Sequence, residues 1–135
     1  MSVRWYDLET FGREPRRDRI AQFAAIRTDE GLEPLGEPVV LYCAIPRDYL
    51  PDPYAVLKTG ITPQETRRRG VKEIDFAREL HALFSEAGTC GVGFNSLSFD
   101  DEFLRSLFYR NFIDPYEREY RNGNSRWDLL NLARM

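Results

Sequence analysis

The segment Val3-Arg4-Trp5-Tyr6-Asp7-Leu8-Glu9-Thr10 is a short apolar run that ends in two acidic residues separated by one position. Side chains alternate between the faces of a β-strand, so we expect Asp7 and Glu9 on one face and Leu8 on the other. This spacing puts the two carboxylates roughly 6–7 Å apart. Like charges this close repel each other, and a divalent cation with oxygen ligands is the usual counterion. A D-x-E pair alone is weak evidence for such a site, because acidic strand ends are common.

A third acidic residue, Asp100, is expected at the start of a helix that follows a buried strand. Acidic residues in a first turn also favour the helix dipole, which gives a purely structural alternative. Asp100 shares a predicted helix face with Leu104 and Leu107 and therefore leans toward the sheet, whereas Asp101 shares a face with Arg105 and is expected in solvent. Three converging carboxylates would need one or two divalent cations, and two such ions support phosphoryl displacement.

The remaining pattern predicts an α/β domain. Strands are predicted at Val3–Leu8, Ile20–Thr28, Pro38–Ala44 and Thr89–Phe94. Helices are predicted from Thr62-Pro63-Gln64-Glu65 onward, at Lys72–Ala87, at Phe99–Asn111 and after the cap Ser125-Arg126-Trp127-Asp128, the last still running at Met135. The short link between the second and third strands favours an antiparallel pair. The proline-rich stretch that contains Pro46, Pro51, Pro53 and Pro63 is predicted as a loop, because proline lacks a backbone donor, and the helix that begins at Thr62 starts within it.

Composition sets the class of protein. A chain of 135 residues with 42% hydrophobic and 30% charged residues is typical of one globular domain. We find no apolar run of about 18 residues and no signal peptide, so a cytoplasmic location without membrane contact is expected. Cys43 and Cys90 lie in apolar runs and are expected to be reduced thiols. The net charge of −3 does not indicate a general nucleic-acid binder, although acidic residues at a metal site would lower it without preventing binding.

Two motifs resemble those of the DEDD-type 3′→5′ exonucleases. Asp7-Leu8-Glu9-Thr10 resembles their first motif, and Asn95-x-x-x-Phe99-Asp100 resembles the second. Within that superfamily the chain resembles the bacterial exonuclease I branch, through Asp7–Gly12, Gln22–Thr28, Thr59–Gln64, Phe99–Glu102, Tyr109–Phe112 and Asn124–Leu130. Each segment alone is weak, but the set is specific and extends from the first strand to the last residue.

The resemblance implies a ribonuclease-H-like exonuclease fold. Its mixed sheet has three antiparallel strands and then parallel ones, flanked by helices. Residues 1–135 would form the N-terminal portion of the exonuclease domain, truncated at the C-terminal side. Asp7, Glu9 and Asp100 would be catalytic and would bind Mg²⁺, with Mn²⁺ as a possible substitute. The implied activity is hydrolysis of single-stranded DNA from its 3′ end, with release of 5′-mononucleotides.

The resemblance also implies substrate contacts. Glu9 and Thr10 would contact the terminal nucleotide, Ile61 would pack against bases, and Arg105 would meet a backbone phosphate. The alternative for Ile61 is a buried loop anchor, and the alternative for Arg105 is a helix pair with Asp101.

One part of the family pattern does not occur in residues 1–135. The third motif carries a histidine and then a fourth acid, and the one histidine here, His81, does not match it in position or context. Without that general base the chain alone is expected to be nearly inactive. A single-stranded-DNA-binding protein is a possible partner through domains beyond this chain. The alternatives are a nuclease for RNA ends or proofreading, and a non-catalytic nucleic-acid-binding domain that kept the fold.

Overall fold

The computed structural model describes residues 1–134, which form a six-stranded mixed sheet with the order β4-β3-β2-β1-β5-β6. The strands are β1 (Ser2–Thr10), β2 (Ile20–Thr28), β3 (Val39–Ala44), β4 (Val71–Lys72), β5 (Thr89–Gly93) and β6 (Ser125–Asp128). Strands β1, β2 and β3 are antiparallel neighbours, whereas β5 and β6 continue the sheet parallel to β1. The predicted arrangement of three antiparallel strands followed by parallel ones is confirmed.

Two strands were not predicted. β4 pairs parallel with β3 at one edge, and β6 pairs parallel with β5 at the other. The segment Ser125-Arg126-Trp127-Asp128 was interpreted only as a helix cap, and Lys72 as the first residue of a helix. Both strands are four residues long or shorter, so their hydrophobic alternation is too brief to separate them from adjacent caps.

The helices are α1 (Pro53–Thr59), α2 (Pro63–Arg69), α3 (Glu73–Phe84), α4 (Asp100–Arg110), α5 (Glu117–Tyr120) and α6 (Leu129–Ala133). The prediction of a loop was wrong for α1, because Pro53 occupies the first turn, where its missing N–H is not needed, and Asp52 caps the helix. The predicted cap Thr62 is confirmed and accepts from the Glu65 N–H at 3.1 Å. The last helix ends at Ala133 rather than running on, and Met135 lies outside the described residues.

The main core lies between one face of the sheet and helices α3 and α4. From the sheet it takes Tyr6, Leu8 and Phe23, and its helical side chains are Phe76, Leu80, Phe84, Phe103, Leu104, Leu107 and Phe108. Burying a side chain of this size contributes about 1.5–3 kcal/mol to the free energy of unfolding. This packing places the N-terminus of α4, with Asp100, beside β1.

Two smaller expectations, on the cysteines and on His81, are also resolved by the structure. Both Cys43 and Cys90 are free thiols. His81 packs edge-on against Phe108, with ring centroids 5.5 Å apart, as expected for a residue on the apolar side of its helix. Among residues 1–134, we find no helix with the length and apolar character that crossing a bilayer requires.

Candidate active site

Asp7 and Glu9 lie on the same face of β1, and Leu8 is buried on the other face, as the alternation predicts. The parallel pairing of β1 with β5 runs from Ser2 to Trp5, so the acidic end of β1 extends past its neighbour. This end of the strand is open to approach from the side of β5.

Asp100 fills part of that open side. Its side chain is 4% exposed, and its carboxylate accepts a hydrogen bond from the backbone N–H of Leu8. Its Oδ2 atom is buried and has no hydrogen-bond partner among residues 1–134. Asp7, Glu9 and Asp100 all line one cavity of about 630 Å³. The fold therefore brings together the three acidic residues that the sequence singled out.

The three carboxylates disturb one another electrostatically. Burial, together with the negative charge of Asp7, raises the pKa of Asp100 to about 7, and the Leu8 N–H only partly offsets this. Burial and Asp7 also raise the pKa of Glu9, while the nearby Lys58 lowers it. Any cation bound in the cavity would relieve this repulsion.

The donor set fits a hard divalent cation. Carboxylate oxygens are the ligands that Mg²⁺ and Mn²⁺ prefer, and Asp100 Oδ2 is a buried oxygen that has no hydrogen-bond partner in the described part of the chain. Within residues 1–134, no three His, Cys, Asp or Glu side chains are arranged as ligands of a single ion. Mg²⁺ usually retains several waters and takes only one or two carboxylates, so pairs of these acidic residues suffice for each ion.

Comparison with known proteins identifies the family. Residues 4–135 match the family model described as Exonuclease. The chain belongs to this exonuclease family. Exodeoxyribonuclease I of Escherichia coli (strain K12) is 55% identical over 130 residues, which are 96% of this chain and 27% of that protein.

Solved structures of exonuclease I superpose closely on this chain. The zinc-ion-bound form of an E. coli ExoI–ssDNA complex has a TM-score of 0.97 and 53% identity, over 98% of this chain and 29% of that one. An ExoI/SSB-Ct complex gives the same TM-score, identity and coverage. The chain thus spans less than a third of the length of the relatives that it matches, and it has their ribonuclease-H-like exonuclease fold.

The prediction that Asp101 is exposed to solvent is wrong. We expected it in solvent on a face shared with Arg105, but it is fully buried. Its carboxylate accepts hydrogen bonds from Tyr6, Arg118 and Arg126. The two arginines come from α5 and β6, so helical periodicity within α4 alone gives no sign of them.

The predicted substrate contacts fall at three different places in the structure. Thr10 lies in the cavity wall, where its hydroxyl donates to the Gly12 carbonyl at 2.8 Å. Ile61 is 8% exposed and packs with Phe11 and Ile45, which favours the loop-anchor alternative over contact with bases.

Arg105 lies in a separate groove, with Tyr116 stacked on its guanidinium. It donates to Glu119 at 2.7 and 2.8 Å and to Glu102 at 2.7 Å. The alternative of a pair with Asp101 is therefore wrong. A phosphate contact by Arg105 would have to compete with two carboxylates.

Sequence reasoning missed the basic side of the cavity. Lys58 and Arg13 both line it, and Arg13 stacks over Tyr54 with 5.6 Å from its guanidinium carbon to the ring centroid. Tyr54 and Lys58 are four positions apart in α1, so they share a helix face. For Lys58, the signal could be recognised only by treating the proline-rich stretch as a helix. Arg13 belongs to a basic cluster with Arg16, Arg17 and Arg19, which the sequence alone favours as a solvated face.

Asp128 supports the site from the far side of β5. It is 3% exposed and accepts from the N–H groups of Asn95 at 2.8 Å and Leu97 at 3.1 Å. It also caps α6 through the Leu130 N–H. These bonds fix the turn that delivers Asp100 to the cavity.

Proposed function

We propose that the full-length protein carrying this chain is a metal-dependent 3′→5′ exodeoxyribonuclease that acts on single-stranded DNA and releases 5′-mononucleotides. Asp7, Glu9 and Asp100 are its catalytic acidic residues. The observation that carries the proposal is their convergence on one cavity, where Asp100 Oδ2 is buried and has no hydrogen-bond partner among the residues that the structure describes. The family membership and the names of the similar proteins support the same reaction.

The proposed cofactor is Mg²⁺, with Mn²⁺ as a substitute. Asp7, Glu9 and Asp100 would hold the ions, since their oxygens suit hard cations. When bound, Mg²⁺ would supply Lewis-acid stabilisation of the oxygens that carry charge during phosphodiester cleavage. The ssDNA complex of E. coli ExoI with zinc supports a metal site in this family.

The chain's other cavity residues have roles in binding DNA. Lys58 and Arg13 place positive charge at the cavity, which attracts the phosphate of the terminal nucleotide. Lys58 also offsets the charge of Glu9. Thr10 forms the wall next to Glu9 and would contact the terminal nucleotide.

The general base and a fourth acid are expected outside this chain, in the parts of the protein that complete the exonuclease domain. We therefore propose that residues 1–135 form the N-terminal portion of that domain and are nearly inactive alone. The partners proposed for the full-length protein are a single-stranded DNA 3′ end and a single-stranded-DNA-binding protein, the latter supported by the ExoI/SSB-Ct complex. A cytoplasmic location is supported by the two free cysteines.

A nuclease assay tests this proposal. Full-length protein, Mg²⁺ and a 3′-labelled single-stranded DNA oligonucleotide should yield labelled mononucleotide as the first product. A 3′-blocked oligonucleotide of the same sequence is the matched control and should stay intact. The substitution Asp7→Ala should reduce the rate by at least about a thousandfold, because the site loses a charge that no neighbour replaces.

Two results would contradict the proposal. Faster cleavage of an RNA oligonucleotide of the same sequence would favour a nuclease for RNA ends. Unchanged degradation by the Asp7→Ala protein would remove the catalytic role of the acidic cavity and favour a non-catalytic binding domain.

A further inference from the structure

We propose that Asp101 and Tyr6 are positioning residues, whose hydrogen bond ties α4 to β1 and so holds Asp100 beside Asp7. The inference rests on the proposed function, because it concerns how the proposed ligands are kept in place. Neither residue is proposed to touch metal or DNA.

The bond joins the two segments that carry the ligands. Tyr6 immediately precedes Asp7 in β1, and Asp101 immediately follows Asp100 in α4. Tyr6 projects from the buried face of β1, where it is 6% exposed, and its hydroxyl donates to Asp101 Oδ1. One hydrogen bond between side chains therefore fixes the neighbours of both proposed ligands to each other.

Asp101 is unsuited to be a ligand itself. Its side chain is fully buried, and both of its oxygens already accept hydrogen bonds. Arg118 donates to Oδ1 at 2.9 Å, and Arg126 donates to Oδ2 at 2.9 Å. The two guanidinium groups compensate the charge of the buried Asp101 carboxylate. Its hydrogen-bond partners therefore lie in the protein interior, and neither oxygen faces the cavity.

The arginines are themselves held rigidly. Arg118 is 3% exposed and lies over the Phe84 ring, with 4.6 Å from its guanidinium carbon to the centroid. Arg126 also bonds Glu119 at 3.1 Å. Asp101 is therefore anchored to three elements, β1, α5 and β6, in addition to its own helix.

The site needs such an anchor because its charges push it apart. Asp7, Glu9 and Asp100 line one cavity, and carboxylates gathered in this way repel one another when no cation lies between them. Without the tie, the first turn of α4 can relax away from β1 and separate the ligands. Loss of a partner that orients a metal ligand typically weakens metal binding by about 10–100-fold.

The test is Mn²⁺ binding by the DNA-free, full-length protein, measured by isothermal titration calorimetry. The substitution Tyr6→Phe removes the hydroxyl but keeps the ring, and we expect it to raise the Kd for Mn²⁺ about tenfold. Asp101→Asn should raise the Kd at least as much.

Arg4→Met is the matched control. Arg4 lies on the same strand and face as Tyr6, is 4% exposed, and makes a 2.8 Å ion pair with Glu86. It should lower the melting temperature without changing the Kd for Mn²⁺. A wild-type Kd in Tyr6→Phe would overturn the inference, and so would an equal rise in Arg4→Met, because the effect would then reflect stability alone.

The substitution Asp7→Ala separates this inference from the proposed function. If Asp7→Ala abolishes Mn²⁺ binding while Tyr6→Phe leaves it unchanged, the metal site stands and the positioning role fails. If Asp7→Ala binds Mn²⁺ as the wild type does, the proposed metal site fails, and the positioning role fails with it.

Discussion

The negative charge of Asp7 raises the pKa of Asp100, so these two carboxylates interact across the cavity between β1 and α4. They are far apart in the sequence and meet because the core packs α4 against the sheet. The fold thus holds these two carboxylates close enough to repel each other, and a cation bound between them would relieve the repulsion. Four predictions follow from this arrangement and from the residues around it.

Mn²⁺ binding should depend on pH near neutrality. The pKa of Asp100 is about 7 without metal, and only its deprotonated form is a ligand. The affinity of the full-length protein for Mn²⁺ should therefore rise about tenfold per pH unit below pH 7 and level off above pH 8. Calorimetric titrations at several pH values check this. A flat profile between pH 5.5 and pH 8 would show that Asp100 is not a ligand, since this range brackets its raised pKa.

Asp100→Asn should stabilise the metal-free protein at high pH. The folded-state pKa of Asp100 lies above its ordinary value of 3.8, so the folded state binds the proton more tightly and stability falls as pH rises from about 4 to about 7. Above that range the charge costs up to about 4 kcal/mol, which asparagine avoids while still accepting from Leu8.

Thermal unfolding of the full-length protein in chelator measures this effect. Asp100→Asn should raise the melting temperature at pH 8 and leave it nearly unchanged at pH 4. The exposed Asp48 gives the matched control, and Asp48→Asn should change neither value. A lower melting temperature for Asp100→Asn at pH 8 would mean that the Asp100 charge is stabilising rather than strained.

Lys58→Gln should weaken DNA binding. Lys58 places its charge at the cavity, so its loss should raise the KM for single-stranded DNA and reduce the magnitude of the log–log salt slope by about one. Lys72→Gln is the control, because Lys72 is also exposed but lies in β4 at the far edge of the sheet. Equal effects of both substitutions would indicate that positive charge spread over the surface attracts DNA and that Lys58 makes no specific contact with it.

Ile61→Val should affect stability and not substrate binding. The Ile61 side chain is buried beside Phe11, and removal of one methylene from such a position costs about 0.5–1.5 kcal/mol. The KM for single-stranded DNA should stay at the wild-type value. A raised KM with unchanged stability would instead support the contact with bases that the family resemblance implied.

Local pattern was enough to predict the elements that carry the acidic residues. The alternation in Val3–Thr10 assigned Asp7 and Glu9 to one face, and the bounds of β2 agree with the prediction at both ends. The inward lean of Asp100 followed from its spacing to Leu104 and Leu107, which are both buried. These features depend on neighbours within one strand or one helix.

The features that were missed depend on distant parts of the chain. Asp101 is buried because Arg118 and Arg126 arrive from other elements to compensate it. Helix α1 was missed because its proline signal is shared by loops and first helical turns, and the basic residue Lys58 was missed with it. When the charge of a buried residue is compensated by side chains from other helices or strands, the periodicity of its own element does not reveal that it is buried.

The most direct test of the central claim is a crystal structure of the full-length protein grown with Mn²⁺, with an anomalous difference map. We predict manganese peaks in the cavity between β1 and α4, within coordination distance of carboxylate oxygens of Asp7 and Asp100. Manganese bound elsewhere, with these two carboxylates left uncoordinated, would contradict the assignment of this cavity as the metal centre.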